Sequence, residues 1–196
     1  MKKQWFPLLL VLGALLVLLS VSLIVADQIG MYAGSRHCQK IAAKMEEILL
    51  ERTPGVPEMY PNSAMPVLAI DAVDYAAMLE IPAFGLTLPV ADQWDSGKLS
   101  RCPARFSGST YDSPLVIGGA DHSKHFGFCD KIENGTLVTV TDMTGAQFAY
   151  TVTKVERAKH AQSQWLTHSN YDLTLFCHDV YAMEYIAVRC TSTYQP

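Results

Sequence analysis

The chain has 196 residues, with 15 Lys and Arg against 19 Asp and Glu and a formal net charge of −4. This length is enough for one domain with a packed core and an additional segment. The slightly acidic balance and the lack of a basic cluster argue against nucleic acid as a partner. The hydrophobic share of 49% is high because many of these residues lie near the N-terminus.

Residues 5–26 form an uncharged apolar run. As a helix rising about 1.5 Å per residue, this run can cross a hydrocarbon core of about 30 Å. Lys2 and Lys3 precede it and Asp27 follows, so the positive-inside rule predicts that residues 1–4 are cytoplasmic and the rest is extracytoplasmic. A cleavable signal peptide is the alternative, but no small-x-small site precedes Asp27. We expect an uncleaved single-pass anchor in the cell membrane.

Residues 27–65 are expected to be a helical stalk and a linker. Within residues 39–52, apolar positions recur at helical spacing, which predicts a helix that serves as a stalk or packs on the domain edge. These positions are Ile41, Met45, Ile48 and Leu49. Residues 53–66 read TPGVPEMYPNSAMP, and their prolines exclude regular structure and mark a linker.

The main domain is expected to span residues 66–196 and to consist mostly of short strands. The clearest signal is a hairpin over residues 137–155, where apolar residues alternate with threonines on both sides of a turn at residues 142–145. Further apolar runs occupy residues 67–70, 76–81, 86–90, 173–176 and 185–189. About eight short strands with few helices predict a small closed β-barrel.

The chain has five cysteines, all beyond the apolar run: Cys38, Cys102, Cys129, Cys177 and Cys190. An odd number cannot pair completely within one chain, and the spacing fits neither a zinc ribbon nor a dense disulfide scaffold. The leftover thiol is compatible with a nucleophile. A disulfide between Cys177 and Cys190 across the last two strands is an alternative that depends on their register.

Three segments carry a family resemblance. Residues 79–89 read LEIPAFGLTLP, residues 107–127 read SGSTYDSPLVIGGADHSKHFG, and residues 172–190 read DLTLFCHDVYAMEYIAVRC. In this order and behind an anchor, they resemble sortases of class B-type and related clostridial kinds. Sortases are membrane-anchored cysteine transpeptidases that attach proteins to the Gram-positive cell wall. The resemblance covers about residues 65–190 and implies a sortase-type closed β-barrel.

The resemblance also locates the catalytic positions. In sortases a cysteine attacks the carbonyl of a sorting signal, a histidine is the general acid/base, and an arginine stabilises the oxyanion. Aligned without gaps, these places hold His178, Ala120 and Tyr185 respectively. The resemblance therefore implies a catalytically degenerate protein. It would bind the sorting-signal peptides of surface proteins or pilins and act in cell-wall or pilus assembly.

The alternative is an active transpeptidase in which a one-residue gap makes Cys177 the nucleophile, with His122 or His125 as its base. It would form a thioacyl intermediate and use an amine of a cell-wall precursor as acceptor. A shift of one residue turns a strand side chain to the opposite face. This alternative therefore requires the strand to end or bulge at Phe176.

Other readings of the same residues remain open. Arg189 lies about 13 Å along the strand from Tyr185, too far to replace it directly. Cys177 and His178 are adjacent on a strand and point to opposite faces, so the sequence predicts no metal site, and it predicts no cofactor. A structural surface module without affinity for peptides is a third class of function.

Overall fold

The computed structural model describes residues 5–51, 65–95, 102–111, 113–160, 162–168 and 170–193. One long helix, α1 (Trp5–Leu50), leads into the domain. Its part Leu9–Ala26 is long and apolar enough to cross a membrane, and none of that window is buried in the protein. The anchor and the helix expected further along are thus one continuous element.

The end of α1 packs against the domain beside the strand Leu86–Ala91. Its buried residues recur at helical spacing, as expected for a helix with one face on a core. The buried apolar residues are Cys38, Ile41, Ala42 and Met45. An ion pair between Lys44 Nζ and Asp71 Oδ2, 2.9 Å long, lies at the margin of this contact.

Nine strands follow. They are β1 (Leu68–Ile70), β2 (Val73–Ile81), β3 (Leu86–Ala91), β4 (Ala104–Ser109), β5 (Ser113–Gly118), β6 (Leu137–Asp142), β7 (Gln147–Ala158), β8 (Leu173–Asp179) and β9 (Glu184–Ser192). A short helix, α2 (Ser163–Thr167), lies between β7 and β8. The strand order is β1-β2-β3-β4-β5-β8-β9-β7-β6, and β6 pairs with β2 to close the barrel.

The barrel consists of eight strands, with β1 added as a hairpin partner of β2. Its interior holds the side chains of alternate residues from every wall, as a small closed barrel requires. In β8 and β9 these are Leu173, Leu175, Cys177, Ile186, Val188 and Cys190. The closed barrel predicted from the strand pattern is confirmed.

The observed boundaries of individual elements agree with those predicted from the sequence to within a few residues. The hairpin predicted over residues 137–155 is β6 and β7, and its turn places Gly145 at a φ of 88°. The Asp142 carboxylate organises this turn by accepting hydrogen bonds from the backbone amides of Thr144 and Ala146. Most of the proline-containing linker, residues 52–64, lies outside the described residues.

Candidate functional site

The central strands β5, β8 and β9 have two distinct faces. Parallel pairing sets Gly118 of β5 beside Phe176 of β8, and antiparallel pairing sets Phe176 opposite Ala187 of β9. Phe176 and Ala187 belong to a second apolar cluster, separate from the barrel interior. We call the surface they share the outer face. It comprises Val116, Gly118, Thr174, Phe176, His178, Tyr185, Ala187 and Arg189.

Two of the three positions expected from the sequence meet on the outer face. His178, near the end of β8, is directly opposite Tyr185 at the start of β9. Their ring centroids are 4.6 Å apart, and both side chains are half-buried. Aromatic pairs at this spacing and tilt attract each other beyond simple area burial. The two rings therefore cover the outer face between β8 and β9 at this end of the barrel.

Ala120 lies two residues after β5 ends, next to the end of β8. The preceding amide of Gly119 donates to the Phe176 carbonyl over 3.0 Å, which anchors the loop to that strand. The Ala120 carbonyl accepts from the amides of His122 and Phe126, each at 3.0 Å. A methyl group at position 120 offers neither a proton acceptor nor a metal ligand. The structure thus brings positions 120, 178 and 185 to one end of the barrel.

Cys177 points the other way. Strand β8 continues without a bulge to Asp179, with Cys177 opposite Ile186. The side chain is 1% exposed and belongs to the barrel interior. There its thiol lies within hydrogen-bonding reach of the Cys129 thiol. Burial raises the pKa of Cys129, and this contact adds to the effect. The condition that a Cys177 nucleophile needs, a strand end or bulge at Phe176, is not met by this geometry.

Cys190 is also too far from Cys177 for a disulfide. The β8–β9 register places Cys190 opposite Leu173, four residues from Cys177 along the strand. Four strand residues span about 13 Å. A disulfide requires Cα atoms within about 7 Å. The cross-strand bond considered from the sequence is therefore ruled out by register.

His125 lies in the loop between β5 and β6 and is completely buried. Neither ring nitrogen makes a hydrogen bond of good geometry to the described part of the chain. Burial lowers the pKa of His125 to about 3, and the neighbouring His122 adds to this, although the Ala120 carbonyl opposes it. At neutral pH the ring is therefore uncharged and enclosed.

His122 is half-buried and stacks on His125 with centroids 5.0 Å apart. Burial lowers the pKa of His122 as well. Its Nε2 atom is enclosed and has no hydrogen-bond partner among the described residues. The fold therefore places His122 against His125. Cys177 meets Cys129 rather than an imidazole.

Charged groups surround His178 at the end of the barrel. Burial raises the pKa of Asp121, and the carboxylates of Asp179 and Asp130 raise it further. The nearby Lys131 and His178 oppose this shift. Within the described ranges, no three His, Cys, Asp or Glu side chains cluster in a way that could hold a metal ion.

Arg189 is 2% exposed and its guanidinium is fully engaged. Its Nε donates to Glu156 Oε2 at 3.0 Å, and one terminal nitrogen donates to Thr174 Oγ1 at 3.0 Å. The other donates to the Trp165 carbonyl at 2.6 Å, and the guanidinium lies 5.0 Å from the Trp165 ring. Arg189 therefore fastens α2 to the outer face and has no donor directed at His178.

Aromatic side chains cover the middle of the outer face. Trp94 packs on Phe106 and Phe176 with centroids 5.1 Å and 5.3 Å away. A Cβ atom at Gly118 would come within 2.3 Å of the Trp94 ring. Glycine at this position is what allows the indole to approach the sheet. No spacing or motif in the sequence indicated the role of Trp94.

Comparison with known proteins agrees with this architecture. The family model for the Sortase domain matches residues 79–190. That range is more than half of the chain and contains β5, the loop after β5, β8 and β9 as far as Cys190. The chain belongs to the sortase family, as the resemblance of the three segments predicted. No curated protein sequence matches it significantly.

Solved structures share the fold at low sequence identity. Sortase A from Corynebacterium diphtheriae is 15% identical with a TM-score of 0.55, over 85% of this chain and 93% of that one. A sortase D5 transpeptidase of Clostridium perfringens is 17% identical with a TM-score of 0.54, over 62% and 80%. C. perfringens sortase C, solved with the C-terminal cell wall sorting motif, is 17% identical with a TM-score of 0.53, over 80% and 91%.

Proposed function

We propose that this protein is a catalytically degenerate sortase that binds sorting-signal peptides of surface proteins or pilins without covalent chemistry. The observation that carries the proposal is the orientation of β8. The outer face bears His178 where the family resemblance expects the nucleophile, and the adjacent thiol of Cys177 is 1% exposed inside the barrel. A buried thiol cannot reach a peptide carbonyl on the opposite face.

The other catalytic positions support the same conclusion. Tyr185 carries no positive charge to stabilise an oxyanion, and Ala120 carries no group to move a proton. Arg189 on this face donates to Glu156 and to a backbone carbonyl of α2. An active site would need all three roles to be supplied from elsewhere.

Exposed side chains beside the His178–Tyr185 pair support peptide binding. The hairpin between β8 and β9 exposes Val180, Tyr181 and Met183, and Tyr181 is 98% exposed. It adjoins the His178–Tyr185 pair. Exposed aromatic and Met side chains are typical of binding surfaces. A sorting motif has been captured in C. perfringens sortase C, which makes such a peptide the ligand class to test.

The apolar helix supports a position at the cell surface. With the N-terminal lysines inside, the barrel lies outside the membrane, where surface proteins and pilins are assembled. The protein would then present its outer face to a partner's sorting signal beside the wall. It would act as a binding or assembly partner rather than as the transpeptidase.

The test is peptide binding by the full chain in detergent micelles, combined with intact-mass measurement in the presence of an amine acceptor. We expect saturable binding, no acyl adduct, and no effect of Cys177→Ala on binding. Tyr181→Ser should weaken binding at least several-fold, whereas Leu137→Ser, an exposed apolar position on β6, should not. An adduct on Cys177 that disappears in Cys177→Ala would instead establish the transpeptidase. Absence of binding to every sorting peptide would favour a structural module.

A further inference from the structure

Four of the five cysteines meet in two pairs inside the fold. The first pair joins α1 to the barrel. Cys38 lies on the buried face of the helix and Cys102 lies two residues before β4. Their side chains are within hydrogen-bonding reach of each other, and this contact raises the pKa of the Cys38 thiol, with burial adding to the effect. Tyr75 of β2 lies against the same pair.

The second pair joins the loop after β5 to the end of β8. Cys129 is completely buried in that loop, and Cys177 is 1% exposed on the inward face of β8. The two thiols are again within hydrogen-bonding reach. Each pair thus brings together segments that are distant along the chain.

Cys190 is the remaining cysteine. It is completely buried on β9, and its Sγ atom lies 4.0 Å from the Val188 carbonyl. Burial raises its pKa to about 12. The odd number of cysteines is therefore accounted for by two pairs and one enclosed thiol. All five are thiols in this structure.

We propose that, after export, two disulfides cross-link the chain, Cys38–Cys102 and Cys129–Cys177, and that Cys190 stays reduced. Buried, mutually contacting thiols in an extracytoplasmic domain meet the conditions under which disulfides form and persist. The proposal rests on the membrane orientation inferred above and is independent of whether the outer face binds peptide.

The oxidant is an extracytoplasmic thiol–disulfide donor. A thiolate of one cysteine attacks the donor disulfide, forming a mixed disulfide and releasing one donor thiol. The second cysteine's thiolate then attacks the protein sulfur of that bond, forming the internal disulfide and releasing the other donor thiol. Each pair loses two hydrogens while the donor disulfide is reduced. Because the thiols are buried in the folded protein, where a donor disulfide cannot reach them, the bonds form before the barrel closes over them.

The two bonds would have separate consequences. Cys38–Cys102 fastens the membrane helix to the edge of the barrel and holds the connection that carries Trp94. Cys129–Cys177 ties the loop that begins at Ala120 to β8 directly behind His178. A sulfur held in this bond is also unable to act as a nucleophile.

The test is differential alkylation of the full chain, exported in a bacterial host and extracted from its membranes. The unfolded protein is labelled with one maleimide, reduced, and labelled with a second, isotopically distinct maleimide. We expect the first label only at Cys190 and the second at the other four cysteines. Peptide mapping without reduction should recover peptides linked through Cys38–Cys102 and Cys129–Cys177. This map decides the pairing even if the variants fold poorly.

Single substitutions give matched controls. Cys38→Ser should add the first label at Cys102, and Cys129→Ser should add it at Cys177, with Cys190 labelled as in the wild type. Proteolysis of intact protoplasts establishes on which side the barrel lies. Five first-label thiols on an exported barrel, or a map with other partners, would refute the pairing. A barrel protected inside the cell would refute the orientation on which the proposal rests, whatever the peptide binding shows.

Discussion

His178 and Tyr185 face each other across the β8–β9 ladder with ring centroids 4.6 Å apart, on the surface opposite the buried thiol of Cys177. In the family resemblance these are the places of the nucleophile and the oxyanion-stabilising arginine. Position 178 is therefore accessible but has no thiol, whereas the adjacent thiol of Cys177 is inaccessible. This relationship makes the chemistry of the site testable by exchange of single side chains.

Returning a cysteine to the outer face should restore reactivity. In native protein, His178→Cys should be alkylated by a maleimide at least tenfold faster than wild type, because all five native cysteines are buried. Combined with Ala120→His and Tyr185→Arg, it should form an acyl adduct with a sorting peptide. Mass spectrometry of the native labelling reaction gives the rates. Equal labelling of wild type and His178→Cys would mean that position 178 is not accessible.

Removing the buried guanidinium should destabilise the domain. Arg189→Met leaves two backbone carbonyls of α2 without their donor, at about 1–3 kcal/mol for each buried unsatisfied group, while Glu156 keeps its ion pair with Lys154. Thermal unfolding followed by circular dichroism measures the effect. Arg157→Met makes the same chemical change at an exposed position on the neighbouring strand and should leave the melting temperature nearly unchanged. Similar melting temperatures for both variants would contradict the role assigned to Arg189.

Acid should destabilise the fold through His125. Its pKa is about 3 when folded and near 6.5 when unfolded, so between these values the unfolded chain binds a proton that the folded chain does not. Stability is retained above pH 6.5 and falls as pH decreases towards 3, with a slope of up to about 1.4 kcal/mol per pH unit.

Denaturant unfolding over this pH range measures the effect of His125. His125→Leu should flatten the dependence, whereas His160→Leu, at an exposed histidine, should leave it as in wild type. If the His125→Leu profile keeps the full slope, another group is responsible for the acid sensitivity.

Gly118 should be intolerant of a side chain because of Trp94. A Cβ atom there would lie 2.3 Å from the Trp94 ring and 2.6 Å from the Phe176 ring, and such overpacking costs about 1–3 kcal/mol. Denaturant unfolding of Gly118→Ala measures this loss. In a double-mutant cycle, Gly118→Ala should reduce the free energy of unfolding much less in the Trp94→Ala background than in the wild type. Additive losses would indicate that the two residues do not compete for the same space.

Much of the fold was predictable because its signals are local. Alternation of apolar residues in β6, β7, β8 and β9 reports which side chains face a core, and a period of two needs no knowledge of partners. For the same reason, a shift of one residue between Cys177 and His178 could be read from the sequence as a change of face. A helix able to span a membrane could likewise be predicted from the length and composition of the uncharged run near the N-terminus.

Other features depended on where distant segments meet. The pairing of Cys38 with Cys102 and of Cys129 with Cys177 cannot be read from spacing, because contact between thiols depends on how α1 and the loop after β5 pack on the barrel. The hydrogen-bond partners of Arg189 come from β7, β8 and α2, and they could not be predicted from the sequence either. Local periodicity and composition were enough to predict the strands, the faces of their side chains and the apolar helix. Which buried polar and sulfur atoms meet depends on tertiary packing, because those contacts close long loops.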